Sequence, residues 1–164
     1  MIKFLLGIAV VAFTTFCGYL FGKKHRKRKQ FFTQWTLFNE RFLNEISYYR
    51  HPLQDFFNKY SYKGEFNLLL KRFFECVKSR SVLTETLLVG TEFHFLKADE
   101  KRTIEDYFLM LGKGDSASQK TYFSSVKNML TKAENDAVAT CKKYGDLYVK
   151  LGFLCGLLIL ILII

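Results

Sequence analysis

The chain has 164 residues, enough for one ordinary domain, with 25 Lys and Arg against 15 Asp and Glu for a formal net charge of +10. Residues 23–29 hold six of those cations and Lys3 a seventh, so the remaining eighteen oppose fifteen acids and leave only +3 elsewhere. So local an excess points to anionic lipid and membrane topology, and argues against a nucleic-acid groove.

Phe4 to Gly22 is a run of nineteen residues without a formal charge. As a helix it is about 28 Å long, against a hydrocarbon layer of roughly 30 Å. A cleaved signal peptide carries its basic residues before the apolar part. Here they follow it, as Lys23, Lys24, His25, Arg26, Lys27, Arg28 and Lys29, and no Ala-x-Ala comes before them. Residues 1–22 are therefore expected to form an uncleaved transmembrane helix, and residues 23–30 a basic juxtamembrane collar.

Residues 31–146 contain a single proline, and their apolar residues recur at helical spacing. Phe31 to Tyr49 is the first expected helix, with Trp35, Phe38, Phe42, Ile46 and Tyr49 on one side. Glu45 lies in its last turn, where a carboxylate faces the negative end of the helix dipole. It needs a compensating partner, either Arg41 one turn back or the free N–H groups of the helix opening at Pro52. Pinning that turn is favoured over a contact with another protein. Pro52 suits a first helical turn, and Leu53, Phe56, Phe57 and Tyr60 give a short helix stopping near Lys63–Gly64. A third helix, Glu65 to about Lys78, carries Phe66, Leu69, Leu70, Phe73, Phe74 and Val77. A fourth runs from Val82 to about Val89. Residues 90–98 have no assigned structure, although Phe93, Phe95 and Leu96 look buried. Asp99 is expected to cap the next helix, with Ile104, Phe108 and Leu111 inward and Gly112 as its C-terminal stop.

A long last helix begins at Ser116, through a capping box with Gln119 or through Asp115 one residue earlier. Tyr122, Val126, Met129, Ala133, Ala137, Cys141, Tyr144 and Tyr148 fall at three- and four-residue steps along it. From Leu151 to Ile164 polarity vanishes. Counted back to Leu147 the run is eighteen residues, about 27 Å, with Lys150 snorkelling to the headgroups and the tyrosines forming an interfacial belt. Residues 147–164 are expected to be a second span. Lys142, Lys143 and Lys150 lie on the same side as the collar, so the positive-inside rule makes the intervening domain cytoplasmic. The expected fold is all-α: a six-helix cytoplasmic bundle between two transmembrane helices, the last helix continuous into the membrane. Gly18 with Gly22, and Gly152 with Gly156, have the spacing that lets helices approach closely in lipid. Packing there is expected, within one chain or between chains.

No catalytic constellation is visible. Asp99–Glu100 and Glu105–Asp106 are neighbours that diverge on a helix, the serines lack a Gly-x-Ser-x-Gly elbow, and there is no phosphate loop. Cys17, Cys76, Cys141 and Cys155 have no metal spacing and are expected as free thiols. His25, His51 and His94 are equally scattered. The expectation is a non-enzyme without metal or cofactor.

Glu45-Ile46-x-Tyr48 with Pro52-Leu53, then Leu111-Gly112-x-Gly114-Asp115 with Gln119, then Leu151-Gly152-x-Leu154-x-Gly156-Leu157, resemble the stage III sporulation protein AB family in order, spacing and two-span layout. Gly114 departs from the serine or similar small residue usual there. The resemblance implies a membrane protein of endospore formers, made in the mother cell and placed in the membrane around the forespore. It also implies a soluble domain similar to the platform proteins of type II secretion and type IV pilus machines. Such proteins connect a secretion-type ATPase to a membrane assembly, so the implied partners are that ATPase and the other membrane subunits of a feeding-tube channel. The domain is smaller than a full platform protein, which implies partners or self-association. Fold likeness alone does not give the same role, and a lipid-tethered adaptor using the collar is the rival.

Overall fold

The computed structural model describes all residues except Met1, 49–52, 80–86, Gly112, Gly114 and Ile164. Among the described residues the regular elements are helical: α1 (Ile2–Tyr48), α2 (Leu53–Lys59), α3 (Gly64–Ser79), α4 (Ala98–Met110), α5 (Ser116–Thr140) and α6 (Asp146–Ile163). A 3₁₀ turn, Thr91–Phe93, precedes α4, and a π turn, Cys141–Gly145, joins α5 to α6. The chain divides into two compact units, residues 30–135 and a hairpin of residues 1–29 with 136–164.

The expected first span, the collar and the first expected helix of the domain are one element in the structure, the 47-residue α1. Between Gly22 and Pro52 no glycine or proline interrupts the chain, and Lys and Arg are good helix formers. The collar therefore remains helical.

Residues 30–135 are organised around aromatic rings. Trp35, Phe38 and Phe42 of α1 are buried, together with Phe31 and Phe32, which the expected apolar face did not include. The Phe38 ring lies 5.5 Å from Phe56 and 5.6 Å from Phe66. Phe123 meets Phe42 at 4.9 Å and Tyr107 at 5.0 Å, both edge-on, the arrangement favoured by ring quadrupoles. One polar group sits in this core. Asn39, 1% exposed, donates from Nδ2 to the Phe123 carbonyl at 3.1 Å. It also accepts at Oδ1 from the Tyr107 hydroxyl at 3.0 Å. Three helices are tied at that amide, and burial pushes the Tyr107 pKa well above its usual value, so the hydroxyl stays a donor.

Several expectations need correcting. Helix α2 ends at Lys59, and Gly64 opens α3 with φ +65°, a conformation that disfavours any side chain. On α3 Val77 is 51% exposed, and Cys76 takes the buried position. The cap of α4 is Lys97, not Asp99: Glu100 Oε2 accepts from the Lys97 backbone N–H at 2.9 Å, and Asp99 falls in the first turn. Most of the expected helix 82–89 lies outside the described residues; Leu87 and Leu88, at its end, are in a turn and buried. The 3₁₀ turn fills part of 90–98, with Phe93, Phe95 and Leu96 buried.

The inward face of α5 is rotated from the expected one. Phe123 and Leu130 are fully buried, while Met129 is 41% exposed and Tyr122 half-buried. Ala137, Cys141 and Gly145 continue the buried line in the hairpin unit. Among the described residues one helix, Ala117–Leu162, is long and apolar enough to cross a membrane.

Candidate functional site

The residues singled out in sequence fall into separate settings. Glu45 is 7% exposed, and its carboxylate is held by Lys59 Nζ at 3.1 and 3.3 Å. That cation is neither of the expected partners, of which the helix opening at Pro52 begins outside the described residues. Arg41 is used elsewhere, with its guanidinium 4.7 Å from the Tyr60 ring centre and 5.5 Å from that of Tyr62. The ion pair raises the Lys59 pKa, chiefly through the hydrogen bond to Glu45. Tyr48 is the last residue of α1, and Pro52 lies outside the described residues.

Beside this pair is an open groove of about 490 Å³ whose lining includes Asp55, Phe57, Tyr60, Tyr62, Lys71 and Phe74. Burial pushes the Tyr62 hydroxyl up to about 12, against the opposing pull of Arg41. Aromatic walls with one carboxylate and one ammonium can seat an apolar peptide segment. They do not assemble a nucleophile with a base. Among the described residues no group of three His, Cys, Asp or Glu side chains is gathered as a metal would need. Cys17, Cys76, Cys141 and Cys155 are free thiols.

Asp115 and Gln119 shape their own turn. Asp115 Oδ1 accepts from the Ser118 backbone N–H at 3.2 Å, so Asp115 rather than Ser116 caps α5. Hydrogen bonds from Ser118 hold its carboxyl below the usual range. Gln119 Nε2 donates to the Lys113 carbonyl at 3.1 Å. Gly112 lies outside the described residues.

The glycine pairs meet within the hairpin. A methyl on Gly152 would stand 2.5 Å from the Thr14 carbonyl oxygen, and one on Gly22 would stand 2.7 Å from that of Gly145. A methyl on Gly156 would reach Val11 Cα at 2.8 Å, and one on Gly18 would overlap the Tyr148 carbonyl. The two helical arms of the hairpin thus run antiparallel, backbone against backbone, from Gly22 to Gly156. At the collar end His25 stacks against Tyr144 and Tyr148, with ring centres 5.7 and 6.0 Å away. Within the collar Lys23, Lys24 and Lys29 are exposed, while Arg26, Lys27 and Arg28 are half-buried. Arg26 turns back, donating to the Tyr19 carbonyl at 3.1 Å and lying 4.5 Å over the Tyr19 ring.

Sequence spacing could not show Asn39, whose role depends on a carbonyl and a hydroxyl far along the chain, or Lys59, fourteen residues after Glu45. Comparison with known families finds one described as stage III sporulation protein AB whose model matches residues 3–164. No curated protein and no solved structure matches the chain.

Proposed function

The chain belongs to the stage III sporulation protein AB family and so has a role in sporulation, and from that premise we propose that it is a non-enzymatic platform subunit. Its helical domain stands in the mother-cell cytoplasm and couples a secretion-type ATPase to the membrane subunits of the channel feeding the forespore. Residues 1–22 and 147–164 are both spans in this reading, placed in the outer, mother-cell-derived forespore membrane.

The observation that carries the reading is the hairpin of residues 1–29 with 136–164, closed by Gly18, Gly22, Gly152 and Gly156. Such close backbone approach is how helices associate in lipid, where burial of apolar surface supplies no drive between them. A domain whose chain enters and leaves through one hairpin is held at both ends. That arrangement serves a scaffold, which must pass a cytoplasmic contact to a membrane assembly. The groove beside Glu45 and the Lys113–Gln119 turn are the surfaces offered to partners.

In vivo cross-linking during sporulation tests this. Photoreactive residues at exposed positions such as Lys71 and Lys113 are expected to capture the ATPase or a channel subunit. Recovery of neither, with the protein present at its normal level, would sink the platform role.

A further inference from the structure

The hairpin adds to the charge of the collar. Residues 1–29 and 136–164 contain ten Lys and Arg against only Asp136 and Asp146, a net +8 of the chain's +10. Two of the cations outside the collar are brought to its level by the fold. Gly22 touches Gly145 and His25 stacks on Tyr144, so Lys142 and Lys143 stand at the level of Lys23 and Lys24. Lys142 and Lys143 are exposed, as are Lys23, Lys24 and Lys29. The π turn that carries the pair is a local widening of the helix. It puts Cys141 and Gly145 inward and leaves the two intervening lysines outward.

We propose that this end of the hairpin is a two-helix belt that binds anionic phospholipid headgroups, with Lys23, Lys24 and Lys29 from α1 and Lys142 and Lys143 from the π turn as its cations. The proposal rests on the hairpin lying in a membrane but not on the channel role. Three features select a bilayer surface as the occupant. Lys23 and Lys24 directly follow the uncharged run that ends at Gly22, and Lys142 and Lys143 stand at that same level on the other helix, which is where headgroups lie. On the apolar side of these lysines are Tyr144, Tyr148 and Tyr19, amphipathic rings suited to the same layer. Lys150, exposed and directly before the apolar run that starts at Leu151, has a long stem that carries its ammonium back toward the same layer. Arg26 belongs to the collar by sequence but not to the belt. Its guanidinium is spent on the Tyr19 carbonyl and ring, where it closes the helix surface instead of facing headgroups.

The test uses the full chain reconstituted in phosphatidylcholine vesicles containing one-third phosphatidylglycerol. A tryptophan introduced as Phe21→Trp, at an exposed position beside Tyr148, reports the adjacent lipids when either lipid is supplied in brominated form. The signal of the parent chain, from Trp35, is subtracted. Brominated phosphatidylglycerol is expected to quench several-fold more effectively than brominated phosphatidylcholine, since each basic residue at an anionic surface favours contact by roughly fivefold. K142Q/K143Q and K23Q/K24Q should each remove a comparable part of that preference, and 1 M salt should weaken it. R26Q should leave it unchanged.

Equal quenching by the two lipids in the parent chain overturns the proposal. So does a full preference in K142Q/K143Q, which would reduce the belt to the collar alone. Loss of preference in R26Q equal to that of a lysine pair would show mere dependence on net charge. Carbonate extraction separates the two readings: release of the chain overturns the membrane placement together with the belt, whereas retention without lipid preference overturns only the belt.

Discussion

Replacing Asn39 by leucine tests the core of the domain more sharply than any surface change. The substitution keeps volume and apolar fit but removes both the acceptor for Tyr107 and the donor to the Phe123 carbonyl. Phe123 lies inside α5, so its carbonyl keeps a helical partner. The Tyr107 hydroxyl, on a residue with no exposed surface, is left dry, and a buried hydroxyl without a partner costs about 1–3 kcal/mol. Tyr107→Phe removes the opposite half and strands Asn39 Oδ1, at about 1–2 kcal/mol. Together the two changes leave no stranded atom between the two residues. The double variant should therefore be less destabilised than the sum, by about 1–2 kcal/mol of coupling. Urea unfolding of the full chain in detergent, followed by the fluorescence of Trp35, measures this. The chain has one tryptophan, and its ring lies 5.2 Å from that of Tyr107, so the reporter senses the site directly. Strict additivity of the two single losses would refute the three-helix tie.

Four further outcomes are expected. Gly152→Leu forces a side chain into the Thr14 carbonyl and should part the hairpin at a cost of about 1–3 kcal/mol, read as lost cross-linking between cysteines placed across it; unchanged cross-linking would refute the close approach. Gly64→Ala, at φ +65°, should lose about 1 kcal/mol in the same urea assay. The folded-state pKa values of Lys59 and Tyr62 are both raised, the latter to about 12, so the unfolded chain releases these protons first. Stability should be undiminished below pH 10 and fall as pH rises through the folded values, with Lys59→Met removing the Lys59 part of that slope. Asp115 has a lowered pKa, so its cap should act fully above the ordinary carboxylate range and fade as pH falls through the folded value; Asp115→Ala should be destabilised at neutral pH and approach the parent in acid.

How far the residues themselves revealed this structure depended on the range of each interaction. The inner face of α1 was legible because Trp35, Phe38 and Phe42 stand three and four apart, and no alternative face carries comparable rings. On α5 Tyr122 adjoins Phe123 and Met129 adjoins Leu130, so two phases satisfy the same spacing. The rings of Phe42 and Tyr107, distant in sequence, decide between them. The turn at Asp115 was open between two caps, and only the position of the Ser118 N–H separates them. Helix electrostatics are local, so the need of Glu45 for a compensating partner was legible, but the partner is Lys59, at the end of the next helix. The glycine spacing identified surfaces fit for close approach, whereas their mutual register depends on how the chain returns through the π turn.

The uninterrupted helix through the collar has a consequence for the protein's survival in the cell. Seven consecutive residues rich in Lys and Arg would be a ready substrate for trypsin-like proteases in an extended linker. Such enzymes bind their substrates as strands, and here the run lies in the middle of α1 with helix on both sides. Cutting it requires several turns to unwind first, so cleavage there should follow local opening rather than surface exposure. The densest cleavage signal in the chain is also guarded by its own backbone hydrogen bonds.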